Sequence, residues 1–389
     1  MIYLDNSATT KMSDRATAKM MQVVSELYGN PSSLHKMGLE AEKVVTEARN
    51  RVLKTLGVSR GVPGQLLFTS GGTEANNLAI FGAFRAKRRT GKPRILVSAG
   101  EHSSVEKCAL QLGKEGVEVV HIPTRDGVLD MDALAAALTP NTFMVSLMMV
   151  NNETGAVYDV KSAFAMARRL CPDVITHCDA VQGYMKVKFT PSGIGADLVT
   201  ISAHKIGGPK GTGALYVDPA VIKAKKLVST VYGGGQEWDL RSGTENVYGI
   251  AAFGEAALER WESLGADLAR MGDLRDKLEA ELAARFSSGE VVVNRPIGAR
   301  APHIVNLRAE GIRSETMLHY LSAEGVFVSS GSACSSHGGG VSRALSAFGL
   351  ADKQADSSLR VSFSPDSTEE EVAALVEALS SGIARLQKR

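Results

Sequence analysis

The run Asp197-Leu198-Val199-Thr200-Ile201-Ser202-Ala203-His204-Lys205-Ile206-Gly207-Gly208-Pro209-Lys210-Gly211 decides how this chain is read. Residues 197–202 have the apolar, β-branched character of a buried strand. The strand ends just before a lysine, and glycines follow at once. A lysine held at a strand end can form a Schiff base with a carbonyl compound, provided its amine is partly desolvated. A solvated lysine in a loop is the commoner use of such a residue. Ser202 and His204 add small polar hydrogen-bonding groups beside it.

Outward from that run the same pattern repeats. Strand-like stretches cover 65–69, 94–98, 117–122, 142–150, 174–178 and 214–217. Helix-period stretches cover 74–87, 102–114, 131–138 and 161–170. Alternation of this kind predicts an α/β fold: a large domain with a mostly parallel, seven-stranded sheet flanked by helices. Catalytic loops should then gather at the carboxyl ends of the strands. The pattern changes near Thr244. A long helical stretch, 245–285, has Gly265 and Gly272 as possible breaks. Strands at 291–294, 303–307, 325–328 and 359–364 follow, with helices at 315–324 and 368–387, as in a smaller α+β domain. The expected division is 13–250 for the large domain, with 1–12 and 251–389 forming the small one.

Composition narrows the function. Among 389 residues there are 44 Lys and Arg against 42 Asp and Glu, a net charge of +2. This near balance leaves no electrostatic footprint for nucleic acid or a lipid surface. A hydrophobic content of 44% supports a large core and excludes global disorder. The longest apolar stretch, 143–150, is far short of the ~20 residues that span a bilayer. The first residues show neither a basic region nor a signal-type apolar run. Four cysteines, at 108, 171, 178 and 334, make no C-x-x-C pair and no disulfide framework. A cytoplasmic location is expected, without direct nucleic-acid or membrane partners. No pair of Cys or His has metal-ligand spacing, so no metal is expected.

Four further constellations carry chemistry. Asp179 closes the apolar run 174–178, as a helix cap or as an electrostatic partner. Together with Lys205 it forms the pair that pyridoxal phosphate (PLP) requires: an amine for the aldehyde and a carboxylate to keep the pyridine nitrogen protonated. Thr69-Ser70-Gly71-Gly72-Thr73-Glu74 opens a helix after a strand. It reads either as an anion site for a phosphate or as an ordinary capping box. Glu101-His102-Ser103-Ser104 occupies a similar junction, where a histidine can stack on an aromatic cofactor and move protons. Lastly, Cys334 lies in Ser329-Ser330-Gly331-Ser332-Ala333-Cys334-Ser335-Ser336-His337-Gly338-Gly339-Gly340. A cysteine in a polar, small-residue loop reads as a reactive thiol, whereas Cys171 and Cys178 read as core.

In this order and spacing the motifs resemble the cysteine desulfurases of the NifS/IscS type, within the class V aminotransferase group of fold-type I PLP enzymes. The resemblance also rests on Tyr3-Leu4-Asp5-Asn6-Ser7-Ala8-Thr9-Thr10, Gly29-Asn30-Pro31-Ser32-Ser33, Asn151-Asn152-Glu153-Thr154-Gly155, Asp179-Ala180-Val181-Gln182, Gly233-Gly234-Gly235-Gln236-Glu237, Arg241-Ser242-Gly243-Thr244 and Arg360. It implies that Lys205 holds the cofactor, Asp179 pairs with the pyridine nitrogen, Gln182 with the ring hydroxyl, and His102 stacks on the ring. Gly72, Thr73, Ser202 and His204 would hold the phosphate. Thr244 would complete the phosphate site of the other subunit in a homodimer. Asn152 would contact both cofactor and substrate, and Arg360 the substrate carboxylate. Cys334 would take sulfur from L-cysteine as a persulfide, leaving L-alanine. A sulfur-acceptor protein, such as an iron–sulfur scaffold or a tRNA-thiolation protein, would receive it.

The chain departs from the family pattern at Lys11, Ala203 and Gly207, and in the stretch His337-Gly338-Gly339-Gly340. None of these removes a reactive group. The rival readings are a selenocysteine lyase, a class V aminotransferase, and a scaffold that binds PLP without catalysis. An aminotransferase has no use for the Cys334 thiol. A scaffold has no use for the full set of Lys205, Asp179, His102 and Cys334.

Overall fold

A computed structural model describes residues 1–87, 91–330 and 342–387. Among these residues the strands are β1 (Ile2–Tyr3), β2 (Leu66–Thr69), β3 (Arg94–Ser98), β4 (Glu118–Ile122), β5 (Thr142–Met148), β6 (Ile175–Asp179), β7 (Leu198–Ser202), β8 (Gly213–Val217), β9 (Val291–Val293), β10 (Ile304–Ala309), β11 (Val326–Phe327) and β12 (Ser358–Ser362). The large sheet has seven strands in the order β2-β8-β7-β6-β5-β3-β4. Only β8 runs against the rest, pairing antiparallel with both β2 and β7. Every residue of β5, β6, β7 and β8 is buried. Helices such as Gly72–Arg85, Ser103–Lys114 and Val160–Leu170 cover the sheet. This is why these strands read as continuous apolar runs and not as alternating ones.

A second core gathers Leu4 with Met271, Leu278, Val305, Leu321, Val361 and Leu379. Antiparallel β9, β10 and β12 form its sheet, while β1 pairs in parallel with β11. A further bridge, Asp5 to Ser362, ties the N-terminal residues to the same region. The helix Val247–Arg285 joins the two cores. Its first turns bury Val247, Ile250 and Phe253 in one, and its last bury Met271, Leu274 and Leu278 in the other.

Two expectations need correction here. Gly265 and Gly272 do not break the long helix, which runs unbroken from Val247 to Arg285. Each glycine costs about 1 kcal/mol in a helix interior, and packing of the helix's two ends outweighs that. The helices Asp14–Glu26 and Lys36–Thr55 were not anticipated. Each has a side-chain cap, from Ser13 and His35, and both pack along the long helix.

Candidate active site

Since β2, β3, β5, β6 and β7 run the same way, their carboxyl ends share one edge of the sheet. Open α/β sheets bind ligands at such an edge. A cavity of about 290 Å³ lies there. It is lined by Gly72, Thr73, His102, Asn152, Asp179, Gln182, Ser202, His204, Lys205 and Arg360. Thr244 lines a separate, smaller cavity with Thr69, Ser70 and Glu237. Cys334, His337 and residues 338–340 lie outside the described residues.

One end of the cavity suits a phosphate. The helix Gly72–Arg85 starts at Gly72, and its cap residue, Gly71, supplies no side-chain bond. The first N–H groups are therefore free of side-chain caps and present a positive helix end. Ser202 Oγ is buried without a partner among the described residues. The turn needs glycine: a Cβ at Gly72 would fall 2.8 Å from Val181 Cγ2, and one at Gly213 would fall 2.6 Å from the Gly71 carbonyl carbon. His204 is held uncharged. Burial, then Lys205, Lys210 and Lys186, push its pKa down to about 4.

The middle of the cavity is built on Asp179, at the end of β6. Its Oδ2 accepts from Asn76 Nδ2 at 2.8 Å, and its Oδ1 accepts from the Val181 N–H at 3.0 Å. Asn76 also donates to Ser104 Oγ at 2.8 Å. His102 caps the helix Ser103–Lys114, its Nδ1 accepting from the Ser104 N–H. That fixes the tautomer: in the neutral ring the proton sits on Nε2. Behind them Glu101 is fully enclosed. Its Oε1 accepts from Ser98 Oγ at 2.5 Å and from the Met148 N–H at 2.7 Å. Burial, with the Asp179 charge adding to it, raises the Glu101 pKa to about 8.

Lys205 lies across from this network. Its Nζ donates to the carbonyls of Ser7 and Ala8 at 2.6 and 2.8 Å. The Ser7 carbonyl also accepts from Gln182 Nε2 at 2.9 Å. Residues before Thr10 thus form a strap over the site, anchored by Asn6 Nδ2 donating to the Tyr3 and Ser362 carbonyls. Arg360, on β12, is 2% exposed. Its Nη1 donates to the Asn152 carbonyl at 2.9 Å and its Nη2 to Asp5 Oδ1 at 2.7 Å, while its Nε has no partner among the described residues. An arginine fixed at two points with a donor to spare is preset to grip a carboxylate.

These groups fit PLP on structural grounds. The uncapped helix end and the orphaned Ser202 hydroxyl suit its phosphate, Asp179 suits its pyridine nitrogen, and Lys205 suits its aldehyde. Sequence reasoning missed Asn76, Glu101, Ser7 and Ala8 as parts of the site. Asn76 was within reach, because it stands one helical turn after Gly72 and shares its face. Ser7 and Ala8 act through backbone carbonyls, which every residue possesses, so no side-chain pattern could mark them.

The chain is similar to known proteins along nearly its whole length. Cysteine desulfurase IscS of Serratia proteamaculans is 38% identical over 392 residues, covering 99% of this chain and 93% of that relative. IscS of Klebsiella pneumoniae matches to the same extent. Among solved structures, a NifS-like protein superposes with a TM-score of 0.89 at 31% identity, covering 98% of each chain. SspA in complex with cysteine does so with a TM-score of 0.79 at 29% identity, covering 95% of this chain and 100% of that one. The sequence profile of class-V aminotransferases spans residues 2–375. The chain belongs to the aminotransferase class-V family.

Proposed function

We propose that this chain is a PLP-dependent cysteine desulfurase that moves sulfur from L-cysteine to Cys334 as a persulfide and releases L-alanine. The observation that carries this is the meeting of Lys205, Asp179, His102 and Arg360 in one cavity. The 38% identity to proteins named cysteine desulfurase supports it along the whole chain.

PLP, when bound, supplies an electron sink for the substrate's Cα–H bond. Lys205 would hold the cofactor aldehyde, and its Nζ, when free, would take the Cα proton. Asp179 keeps a positive charge on the pyridine nitrogen, and the Asn76 amide and Val181 N–H hold that carboxylate in place. Arg360 and Asn152 orient the substrate carboxylate. His102, with Nδ1 engaged by Ser104, offers Nε2 for proton transfer near the substrate sulfur. The Cys334 thiolate would attack that sulfur: the S–S bond of the persulfide forms as the Cβ–S bond breaks, the electron pair left on Cβ takes a proton, and a second proton is returned to Cα, leaving alanine.

The wider reading includes a homodimer in which Thr244 serves the other subunit's phosphate site. It also includes a sulfur-acceptor protein, a cytoplasmic location, and the division into 13–250 and 1–12 with 251–389. The pairing of β1 with β11 supports placing the N-terminal residues with the small domain.

The test is alanine formation from L-cysteine with a reductant, by the PLP-loaded protein and by Cys334→Ala. Alanine and sulfide from the unmodified protein alone support the proposal. Equal turnover by both proteins removes Cys334 from it. Silence from both, with cofactor absorbance still shifting on addition of cysteine, points to another substrate.

A further inference from the structure

Lys186 closes the turn that follows Asp179 and has no part in the reaction as described. It is 4% exposed, and its Nζ has no hydrogen-bond partner among the described residues. A buried, unpaired ammonium is costly to a fold. The backbone leading to it is also strained: Met185 has a φ of 58°, in the left-handed region that a side chain of its size rarely adopts. Strain of this kind persists where the surroundings enforce it, often beside a functional site.

The groups around Lys186 deepen the oddity. Lys205 and Arg360 act on it as like charges, and it acts in turn on His303 and His204. Lys186 and Lys205 both line a second cavity, of about 380 Å³. The other charged groups there are not its partners. Arg15 pairs with Glu255 and Glu262, and Arg260 with Glu259 and Asp267. Lys11, Asp14 and Asp366 are exposed at the rim. Asp5 is taken by Arg360.

We propose that Lys186 is a positioning residue of the reaction: its buried amine sets, by charge, how readily Lys205 Nζ keeps a proton. The proposal rests on the desulfurase reading. Lys205 must be unprotonated to take a proton from carbon and must then give it up. The Ser7 and Ala8 carbonyls favour its ammonium form; a neighbouring cation opposes that form. Burial, then Lys205 and Arg360, lower the Lys186 pKa to about 7. Its own charge therefore responds near neutral pH.

The experiment compares holoenzyme with Lys186→Met and Lys186→Arg. Three readouts are taken: the pH titration of the bound cofactor's absorbance, the pH profile of kcat/KM for L-cysteine, and the melting temperature. Methionine removes the charge, so both midpoints move up by about one pH unit, a tenfold change in proton affinity. Arginine keeps the charge at every pH, so both move down. The methionine variant melts no lower than the unmodified protein, because it loses an unpaired amine. Unchanged midpoints, shifts of one sign in both variants, or a methionine variant that melts lower or does not fold overturns the proposal. The absorbance titration needs only bound cofactor, so an unmodified protein that forms no alanine would overturn the desulfurase reading while Lys186 is still judged.

Discussion

The two sides of the cavity differ in which hydrogen bonds the protein closes for itself. On the Asp179 side the protein closes the hydrogen bonds of the carboxylate itself: Asn76 and Val181 donate to it, Asn76 to Ser104, Ser104 to His102, and Ser98 and Met148 to Glu101. On this side Asn76 Oδ1 and Glu101 Oε2 are left without a partner among the described residues. On the Lys205 side, Ser202 Oγ, Lys186 Nζ, Arg360 Nε and Ser7 Oγ are buried without partners among the described residues. A closed network holds one group in one orientation, which suits the task of keeping a ring nitrogen charged throughout the reaction. An open one suits groups that must meet phosphate, substrate and a travelling proton in turn. The stability cost of the unpartnered groups falls on the fold until a ligand meets them.

The contrast can be broken most severely at Lys205. Lys205→Ala should lower alanine formation by about 10^3-fold or more, since both the nucleophile and the proton acceptor are lost. It should also abolish the covalent attachment of PLP that borohydride reduction traps and mass spectrometry detects. Attachment at another residue would displace Lys205 from the open side's centre.

Arg360→Lys comes next. Lysine keeps the charge and loses the planar fork that binds Asn152, Asp5 and a carboxylate together. KM for L-cysteine should rise by roughly tenfold or more, about 1.4 kcal/mol, with a smaller change in kcat. A larger loss in kcat than in KM would move Arg360 from substrate orientation to the chemistry itself.

Paired measurements on Asn76→Ala and Ser202→Ala sharpen the comparison. Asn76→Ala strips a charged hydrogen bond from the closed side and should destabilise the cofactor-free protein by about 1.5–3 kcal/mol, read by denaturant unfolding. Ser202→Ala removes a hydroxyl with no partner. It should leave the cofactor-free stability within about 0.5 kcal/mol and weaken PLP binding by about tenfold. Equal effects of both variants on the cofactor-free protein would erase the distinction between the two sides.

The smallest expected effect is at Glu101. Its folded pKa is raised to about 8, above the ordinary carboxyl value. Its contribution to stability is thus full below about 4.5 and is lost as pH rises through about 8. Glu101→Gln keeps an acceptor for Ser98 and Met148 without the charge. The variant should melt a few degrees higher than the unmodified protein at pH 9, and close to it at pH 5. The opposite order would mean that Glu101 is ionised in the folded state.

The element types of the large sheet were legible because strands buried on both faces leave apolar runs and the helices between them keep their period. Strands β9 to β12 were also found, with ends displaced by a residue or two: the expected 359–364 became Ser358–Ser362. The helices Asp14–Glu26 and Lys36–Thr55 escaped notice. Each buries only a stripe, and what covers the stripe is the long helix, more than two hundred residues away in the chain. In the site, Lys205, Asp179 and His102 stood out because each is a reactive side chain at the carboxyl end of a strand or within four residues after it. Asn76 and Glu101 did not, because their importance is a matter of what they touch.

By itself, then, the sequence determined the order of strands and helices and the set of reactive side chains, since local hydrophobic period and residue chemistry are written along the chain. Tertiary structure alone decided three things. Residues 5–10 cross over Lys205 and supply carbonyls to it. Arg360 comes from β12 of the three-stranded sheet to meet Asn152. Lys186 is buried within reach of the Lys205 charge, with no hydrogen-bond partner for its Nζ among the described residues. Each depends on the packing of segments far apart in sequence, and burial and charge proximity exist only once that packing is made.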